Sequence, residues 1–331
     1  MVESSSLIPG LVDDLAELCL SRIPRSSFQI ISQVCWRWRR FLRSERYGAV
    51  RKLTGSVEEL MCLLVYDKYW EVFDGSGNKL GRIPHIPGPL KGGFGLVVLD
   101  GGKIVFIGGR YNCVASADVY EFNPATNRWR KLADMNIPRH NFTYAVVDGL
   151  LYVIRGLSSD NVSILNAEVY NPKTNQWSLI DCPHSHSFSG FAFSFNSKLF
   201  VVGNRWRFID IYDPKTETWE KLDSGQTLSV SSYTVVRNKA YFFDWFKSGM
   251  GVFDPEKNSW SSVSVLPSEK CAFKYRLGQW NNKVILFSRG CEALSGDLDK
   301  EDAAKWIATP IKPSGLHPHQ CSHQLLILQN N

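Results

Sequence analysis

The sequence predicts a small all-α module followed by an all-β propeller of six blades, closed by a strand from the C-terminus. The first observation behind this prediction is a phrase ending in tryptophan, whose copies lie 48, 42, 41 and 46 residues apart. Recurrence at such a period is typical of closed arrays of small sheets. The second observation is the helical spacing of apolar residues over residues 7–46. The third is a pair of incomplete units, at the two ends of the repeat region, that complement each other.

The repeated phrase predicts the last two strands of each unit. It reads VYEFNPATNRW, EVYNPKTNQW, IDIYDPKTETW and VFDPEKNSW, with a decayed copy DLDKEDAAKW. Proline cannot donate a hydrogen bond to a neighbouring strand, so the phrase is expected to end the third strand and begin a tight turn. The tryptophan is expected to open the outer strand and to pack between neighbouring blades. These structural tryptophans are Trp129, Trp177, Trp219, Trp260 and Trp306.

Two short apolar runs precede each copy of the phrase. Examples are FTYAVV–DGL–LYVIRG and FAFSF–NSK–LFVVGN. Aromatic and β-branched runs that are joined by Asp-Gly or Asn-Ser are typical of β-hairpins. Each complete unit is therefore predicted to contain four antiparallel strands.

The two incomplete units predict how the ring closes. The earlier one, ELMCLLVYDKYWEVFDGSGNKLGRI, gives strands ending at Tyr66 and Phe73, with Leu80 at the tryptophan position, but it has no inner strand. Residues 323–329, HQLLILQ, form a strand-like run without a unit of its own. We expect this run to supply the missing inner strand. Six blades over residues 53–331 then average about 46 residues each, which suits a propeller.

Residues 7–46 predict two helical stretches. In LIPGLVDDLAELCLSRIP, three leucines share helical spacing, two aspartates fall in the first turn, where the helix dipole favours acids, and a proline ends the helix. In SSFQIISQVCWRWRRFLRS, apolar residues line one face and most arginines lie elsewhere. That face comprises Phe28, Ile31, Val34, Cys35, Trp38, Phe41 and Leu42. About 40 residues cannot bury these groups alone, so they either dock on the propeller or bind a partner.

The repeats resemble kelch repeats over roughly residues 53–331. The resemblance rests on an apolar strand ending in Gly-Gly, an aromatic-x-Asn/Asp-Pro strand and a following tryptophan. Only Gly108 and Gly109 keep the double glycine of that family. The other units carry Arg-Gly, Gly-Asn, Asp-Trp and Ser-Arg at this place.

Residues 7–52 resemble an F-box. The resemblance rests on the Leu-Ile-Pro start, the acidic and leucine-rich helix, and Val-Cys-x-x-Trp followed by basic residues. An F-box followed by kelch units is typical of a large plant family of non-catalytic subunits of SCF ubiquitin ligases. The resemblance implies that the F-box binds a Skp-type adaptor and through it a cullin, while the propeller binds a target protein for ubiquitination and degradation. Residues 1–6 are expected to be a flexible N-terminus.

The resemblance also implies which residues bind the adaptor. They are Leu7, Ile8, Pro9, Leu11, Leu15, Leu18, Ile23, Pro24, Val34, Cys35 and Trp38. Internal packing is the alternative role for part of this set, and some of its members must serve it.

One face of the propeller is predicted to bind the target. Because successive strands alternate in direction, the connection into each inner strand and the connection out of the second strand lie on the same face. Basic and aromatic residues recur there, and a ring of arginines favours an acidic segment. Solvated loop side chains are the alternative interpretation. The predicted rim comprises Arg110, Tyr111, Arg139, His140, Arg155, Arg205, Trp206, Trp245 and Arg289.

The sequence does not favour an enzyme. It contains no G-x-S-x-G, H-E-x-x-H, P-loop or G-x-G-x-x-G motif, so we predict no catalytic residue and no cofactor. Two histidine clusters, HSH at residues 184–186 and HPHQCSH at residues 317–323, have spacing that suits metal ligands. Polar connecting segments are the favoured interpretation, and no metal is predicted. A kelch scaffold unrelated to ubiquitin, such as a cytoskeletal binder, is the alternative function.

Charge and targeting signals limit the partners and the location. The net charge is +6; residues 1–52 carry nine Lys/Arg against five Asp/Glu, which leaves only +2 for the rest. Nucleic acid is therefore not predicted as a partner, although WRWRR has the alternative interpretation of a nuclear signal. The longest apolar stretch, LMCLLVY, has the length of a strand, so no membrane partner is predicted. Without a secretory signal or a C-x-x-C pair among its eight cysteines, the chain is expected in the cytoplasm or nucleus.

Overall fold

The structure is a computed structural model. It describes residues 6–24, 27–56, 58–65, 69–124, 126–182, 188–204, 207–225, 227–244, 249–263, 275–280, 282–288, 293–296, 306–309, 311 and 325–330. Within these segments no helix has the length and apolar character needed to cross a membrane.

Helices occupy the N-terminal part of the described chain. They are α1 (Asp13–Ser21), α2 (Phe28–Ile31), α3 (Trp36–Leu42) and α4 (Glu45–Leu53). The second predicted helical stretch is therefore two helices, because Cys35 is extended (φ −157°, ψ 164°) and its Sγ accepts a hydrogen bond from the Trp38 N–H as an N-cap. α4 was not predicted from the sequence; the Ser44 hydroxyl caps its first turn.

The strands follow the helices and form successive units along the chain. The first unit has β1 (Glu58–Val65), β2 (Tyr69–Phe73) and β3 (Lys79–Ile83). The second has β4 (Gly95–Leu99), β5 (Lys103–Ile107), a short hairpin of β6 (Arg110–Tyr111) and β7 (Val114–Ala115), then β8 (Val119–Asn123) and β9 (Arg128–Lys131). The third has β10 (Thr143–Val147), β11 (Leu150–Ile154), β12 (Ala167–Asn171) and β13 (Gln176–Ile180).

The remaining units repeat the same order. The fourth has β14 (Phe188–Phe195), β15 (Lys198–Asn204), β16 (Phe208–Asp213) and β17 (Thr218–Asp223). The fifth has β18 (Val230–Val236), β19 (Lys239–Asp244), β20 (Met250–Asp254) and β21 (Ser259–Val263). The sixth has β22 (Tyr275–Trp280), β23 (Lys283–Ser288), β24 (Ala293–Gly296) and β25 (Trp306–Ala308), after which comes β26 (Leu325–Asn330).

The C-terminal strand completes the first unit, as the sequence predicted. β26 pairs antiparallel with β1, from Leu63 opposite Leu325 to Glu58 opposite Asn330. The described strands thus form six four-stranded sheets, the first in the order β26-β1-β2-β3. The propeller has six blades, and the chain closes it by placing its last strand innermost in its first blade.

Each boundary between blades contains an apolar core. Alternate residues of a strand face opposite neighbours: Leu60, Cys62 and Leu64 of β1 pack toward blade 2, whereas Met61 and Leu63 pack toward blade 6. Because both faces of the sheet are covered, the strands read as continuous apolar runs instead of alternating patterns. The remaining boundaries have equivalent clusters, so the six sheets form a closed ring.

The repeated phrase has a local physical basis. Its first Asn or Asp accepts a hydrogen bond within the turn, as Asn171 does from the Lys173 N–H at 2.9 Å and Asp213 does from the Lys215 N–H at 2.9 Å. The residue two places before each of four tryptophans has a left-handed backbone, with φ between 45° and 56°. Those residues are Asn127, Asn175, Glu217 and Asn258. Asparagine tolerates this conformation, so it recurs there.

The tryptophans pack between blades, as expected. The indole N–H of Trp129, Trp177 and Trp219 donates to the backbone of the chain leaving the preceding blade: to Pro84, Ala133 and Asp181 at 2.8, 2.9 and 2.7 Å. The indole rings join the cores between blades 1 and 2, 2 and 3, and 3 and 4. Trp260 and Trp306 pack in the next two boundaries.

Two irregular units depart from the pattern. In blade 1, Phe73 pairs with Lys79 across a register shift, so Lys79, not Leu80 as the sequence suggested, lies at the tryptophan position. In the decayed sixth copy, Gly296 replaces the aromatic partner of Trp306. A Cβ at Gly296 would lie 2.8 Å from the Trp306 ring, so the glycine makes room for the indole.

Candidate functional site

The helical module has a small apolar core of its own. Its buried members are Leu20, Phe41, Leu42 and Tyr47, against which Leu7, Ile8, Ile23, Phe28, Ile31 and Trp38 pack. The Trp38 indole donates to the Leu7 carbonyl at 2.7 Å, which ties α3 to the chain before α1. Trp38 therefore stabilises the module from inside.

Two arginines fasten α4 to the rest of the module. Arg46 donates from Nε to the Glu17 carboxylate at 2.6 and 2.8 Å. Arg51 is buried and donates from Nη1 to the Ile23 carbonyl at 2.8 Å and to the Tyr47 hydroxyl at 2.9 Å. The fourth helix thus holds the end of α1 in place and belongs to the same folded unit.

Large apolar side chains of the module are also exposed to solvent. They are Val12 (66%), Leu15 (50%), Ile30 (73%), Val34 (61%), Trp36 (61%) and Leu53 (81%). Leu53 ends α4, and the other five lie beside or on α1 and on either side of the break between α2 and α3. Exposed apolar residues on a helical surface mark interaction sites, and a groove that accepts amphipathic helices is one common complement.

The predicted adaptor residues fall into three groups. Those exposed are Pro9, Leu15, Pro24 and Val34. Those packed on the module core are Leu7, Ile8, Ile23 and Trp38. Those half-buried are Leu11, Leu18 and Cys35. The first group is available to a partner, while the second fixes the shape of the module. The prediction missed Ile30 and Trp36 because it treated residues 28–42 as one helix, and it also missed Val12, which precedes α1.

On the propeller, the connections predicted to share a face do meet. Gly92, before β4, forms a β-bridge with Arg110, after β5. His140, before β10, forms the same kind of bridge with Leu157, after β11. The chain entering an inner strand therefore lies against the chain leaving a second strand, which explains why Gly109 has no room for a side chain: a Cβ there would lie 2.8 Å from Lys91.

Arg139 lies inside the propeller wall, so its prediction as a rim residue is wrong. Its side chain is 0% exposed and donates to Glu168 at 2.6 Å. Its Nη1 donates to the carbonyls of Arg155 and Asn166 at 2.8 and 3.0 Å. Glu168 also accepts from the Ile137 N–H at 3.0 Å. A buried charge needs such partners, and these leave none of the guanidinium for a target.

Arg155 is buried too, and the rim prediction is wrong for it as well. Its Nη2 donates to Asp210 at 2.6 Å, with the two side chains 6% and 1% exposed. It takes the place of the first kelch glycine: its φ of 57° matches the 56° of Gly108 in the preceding blade. Arg139 and Arg155 join successive blades, one reaching β12 and the other β16.

Two other predicted rim residues lie where a partner can approach: Tyr111 is 47% exposed, and Arg110 is half-buried. The rim prediction is wrong for His140, which is buried with Nε2 3.2 Å from the Ser158 carbonyl. Burial, aided by the nearby Arg110 charge, lowers the pKa of His140.

Four predicted rim residues lie outside the described residues: Arg205, Trp206, Trp245 and Arg289. Both histidine clusters, at residues 184–186 and 317–323, do so as well. Across the described segments, no group of three or more His, Cys, Asp or Glu side chains is placed to hold a metal ion.

Comparison with known proteins divides the chain in the same way. Residues 67–308 match the family described as FKB95, Kelch-repeats domain, and residues 8–48 match the F-box domain family. Two Arabidopsis thaliana proteins named as F-box/kelch-repeat proteins are similar along nearly the whole chain. At1g27420 is 65% identical, covering 95% of this chain and 96% of that protein. At1g67480 is 36% identical, covering 93% and 87%.

A solved structure shares the fold. The structure of YjhT aligns with a TM-score of 0.59 and 14% sequence identity, covering 72% of this chain and 91% of that one. At this identity the similarity concerns the propeller architecture alone.

Proposed function

Because this chain belongs to the F-box/kelch-repeat family, we propose that it is the substrate-recognition subunit of an SCF-type ubiquitin ligase. The helical module binds a Skp-type adaptor, which links it to a cullin. The propeller binds a target protein and presents it for ubiquitination. As in other members of the family, the chain itself is non-catalytic, and it acts in the cytoplasm or nucleus, where these ligases work.

The exposed apolar side chains of the helical module carry the proposal. Leu15 and Val34 match the F-box pattern and are 50% and 61% exposed, although the module has a core in which to bury such groups. Apolar residues that stay in water on a small folded module are explained by a partner that covers them. The adaptor groove is the partner that the F-box family implies.

Adaptor binding tests the proposal directly. The full-length chain is mixed with a purified Skp-type adaptor, and affinity is measured by calorimetry. Substituting Leu15→Ser and Val34→Ser together should weaken binding by about tenfold or more, since truncation of buried interface anchors typically costs more than 1 kcal/mol. Leu179→Ser is the matched control, because Leu179 is 57% exposed on the outer strand β13.

A second variant separates contact from folding. Trp38→Ala should lose adaptor binding together with helical circular dichroism, because it removes core packing and the bond to Leu7. The Leu15 and Val34 variant should instead keep its helical signal. Undiminished affinity in that variant would show that Leu15 and Val34 do not contact the adaptor. No affinity in the wild-type chain would favour a kelch scaffold without a role in ubiquitin transfer.

The described target face is smaller than the predicted ring of basic residues. Arg110, Tyr111 and the loops around them remain as the described candidates, since Arg139 and Arg155 are bound within the wall. A target captured under proteasome inhibition should be ubiquitinated by the reconstituted ligase, and Arg110→Glu should abolish its capture while adaptor binding is retained.

A further inference from the structure

A short hairpin projects from blade 2 and presents two apolar side chains. β6 and β7 pair so that Tyr111 is directly opposite Val114. The two side chains are 47% and 62% exposed. Residues opposite each other in an antiparallel pair lie on the same face, so the tyrosine ring and the valine form one apolar surface. The fold leaves about half or more of each side chain in contact with water.

Both strands of the hairpin are anchored at its base, where Arg110 is opposite Ala115. Its base bridges to Gly92 through Arg110, and the Ala115 N–H donates to the Ser159 hydroxyl of blade 3 at 2.9 Å. Its turn residues Asn112 and Cys113 have φ of 46° and 64°, the conformation of a two-residue hairpin turn. The same kind of non-glycine pair forms the turns at residues 196–197 and 237–238 between blade strands, so the hairpin has the well-defined backbone geometry of the other hairpins in the propeller.

The neighbouring loop of blade 3 extends the surface. Arg110 Nη1 donates to Asn161 Oδ1 at 2.7 Å, which joins the two loops. The next residue, Val162, is 64% exposed and is held in a turn by a backbone bond from the Ser158 N–H to its carbonyl at 2.9 Å. We name Arg110, Tyr111, Val114 and Val162 the two-loop surface. These contacts fix the backbone of both loops before any partner arrives, which lowers the entropy cost of binding.

Charge defines what the surface accepts. Among the described residues Arg110 forms no ion pair, and its Nη1 donates to the neutral amide of Asn161. The nearby cation Lys91 is already neutralised by Asp118. A cation beside exposed apolar groups is complemented by a carboxylate next to an apolar side chain. Asp160 is exposed in the adjoining turn, and its negative charge repels the carboxylate of such a partner.

We propose that the two-loop surface binds a segment of the target protein that places a large apolar side chain beside an aspartate or glutamate. This inference rests on the proposed function and narrows the target site to the boundary of blades 2 and 3. The apolar side chain packs on Tyr111, Val114 and Val162, and the carboxylate accepts from Arg110. Tyrosine and arginine are the residue types that most often dominate such contacts.

The test selects peptides from a random 12-residue display library on the full-length chain bound to its adaptor. Enriched peptides should carry Leu, Ile, Phe or Trp next to Asp or Glu. The double variant Tyr111→Ser with Val114→Ser should bind them about tenfold more weakly or worse. Leu179→Ser and Ile307→Ser are matched controls, because both residues are exposed and apolar but lie on outer strands. Cys113→Gly keeps the turn and should keep affinity.

Two charge variants test whether the two-loop surface prefers peptides of negative charge. Arg110→Glu should switch the enriched peptides from acidic to basic, and Asp160→Asn should strengthen binding of the acidic peptides. Arg128→Glu, an exposed change on β9, should do neither. Variants are compared only where thermal melts match the wild type; if the double variant melts early, Tyr111→Ser replaces it.

Several results would overturn the proposal. One is enrichment of peptides without the acidic and apolar pair, and another is no enrichment at all. A third is equal binding by the double variant. A fourth is a wild-type dimer, seen by light scattering, that the double variant dissolves, since the surface would then join two copies of this chain. Adaptor affinity is measured on the same preparations. If the wild-type chain does not bind the adaptor, it is the proposed function that fails.

Discussion

The Arg139 guanidinium donates to the Glu168 carboxylate at 2.6 Å, and neither side chain is exposed to solvent. The arginine belongs to the connection between blades 2 and 3, and the glutamate to the third strand of blade 3. The same carboxylate accepts from the backbone N–H groups of Asn136 and Ile137 at 2.7 and 3.0 Å. One ion pair therefore fixes the path of a connection that has little regular structure of its own.

Removing either partner of this pair should destabilise the protein strongly. Arg139→Ala leaves the Glu168 charge buried without its cation, which typically costs about 3–5 kcal/mol. The free energy of unfolding from urea titration should fall by that order. Arg207→Ala, which breaks the exposed pair with Asp223 at 2.6 Å, is the control. It should leave the free energy of unfolding unchanged within error. Equal effects would show that Arg139 does not hold the connection.

The two kinds of tryptophan in the repeat give a second prediction. Trp177 donates from its indole to the Ala133 carbonyl at 2.9 Å, whereas the buried indole nitrogen of Trp260 has no hydrogen-bond partner among the described residues. Substitution by phenylalanine removes similar apolar area from both boundaries. Trp177→Phe also orphans a carbonyl, so it should cost about 1 kcal/mol more than Trp260→Phe in thermal or urea unfolding. A larger loss at Trp260 would contradict the prediction.

The architecture was predictable because its signals are local. The Asn/Asp-Pro…Trp phrase combines a side chain that closes a turn, a strand end and a left-handed asparagine such as Asn175, and each acts within a few residues. Ring closure was predictable because one unit lacked a strand and the C-terminus had one to spare. The register of blade 1 was not predictable, because a bulge places Lys79 at the tryptophan position, where the repeat spacing had placed Leu80.

The candidate site was less predictable because burial depends on distant partners. Arg139 and Arg155 stand in loops, where arginines are normally solvated, but their partners Glu168 and Asp210 lie 29 and 55 residues further along. A signal was present: AEVY and FIDIY each place one acid in an otherwise apolar run, and a buried carboxylate requires a cation. The exposure of Val34 depends on the break at Cys35, which helical periodicity does not reveal.

His140 should make stability sensitive to mild acid. Burial lowers its pKa in the folded chain below the ordinary value near 6.5. As the pH falls through about 6.5, the unfolded chain binds a proton that the folded chain resists, so the free energy of unfolding declines until the folded pKa is passed. His140→Gln keeps a donor toward the Ser158 carbonyl and removes the titration. Urea titrations at about pH 7.5 and about pH 5.5 should show a smaller decline in the variant than in the wild type; an equal decline would exclude His140 as a source.

Closure by β26 predicts that the C-terminal strand can be replaced from outside. Deleting residues 323–331 removes every backbone bond between β26 and β1 and uncovers the inner edge of blade 1 from Glu58 to Leu63. Since each blade is held by two neighbours, opening the ring at one place should broaden the unfolding transition and lower its midpoint. A synthetic peptide of residues 323–331, added to the truncated chain, should restore the midpoint in proportion to its occupancy, because it can pair with β1 as an added strand. A peptide of the same composition in scrambled order should not. Wild-type unfolding of the truncated chain without peptide would mean that β26 does not close the ring.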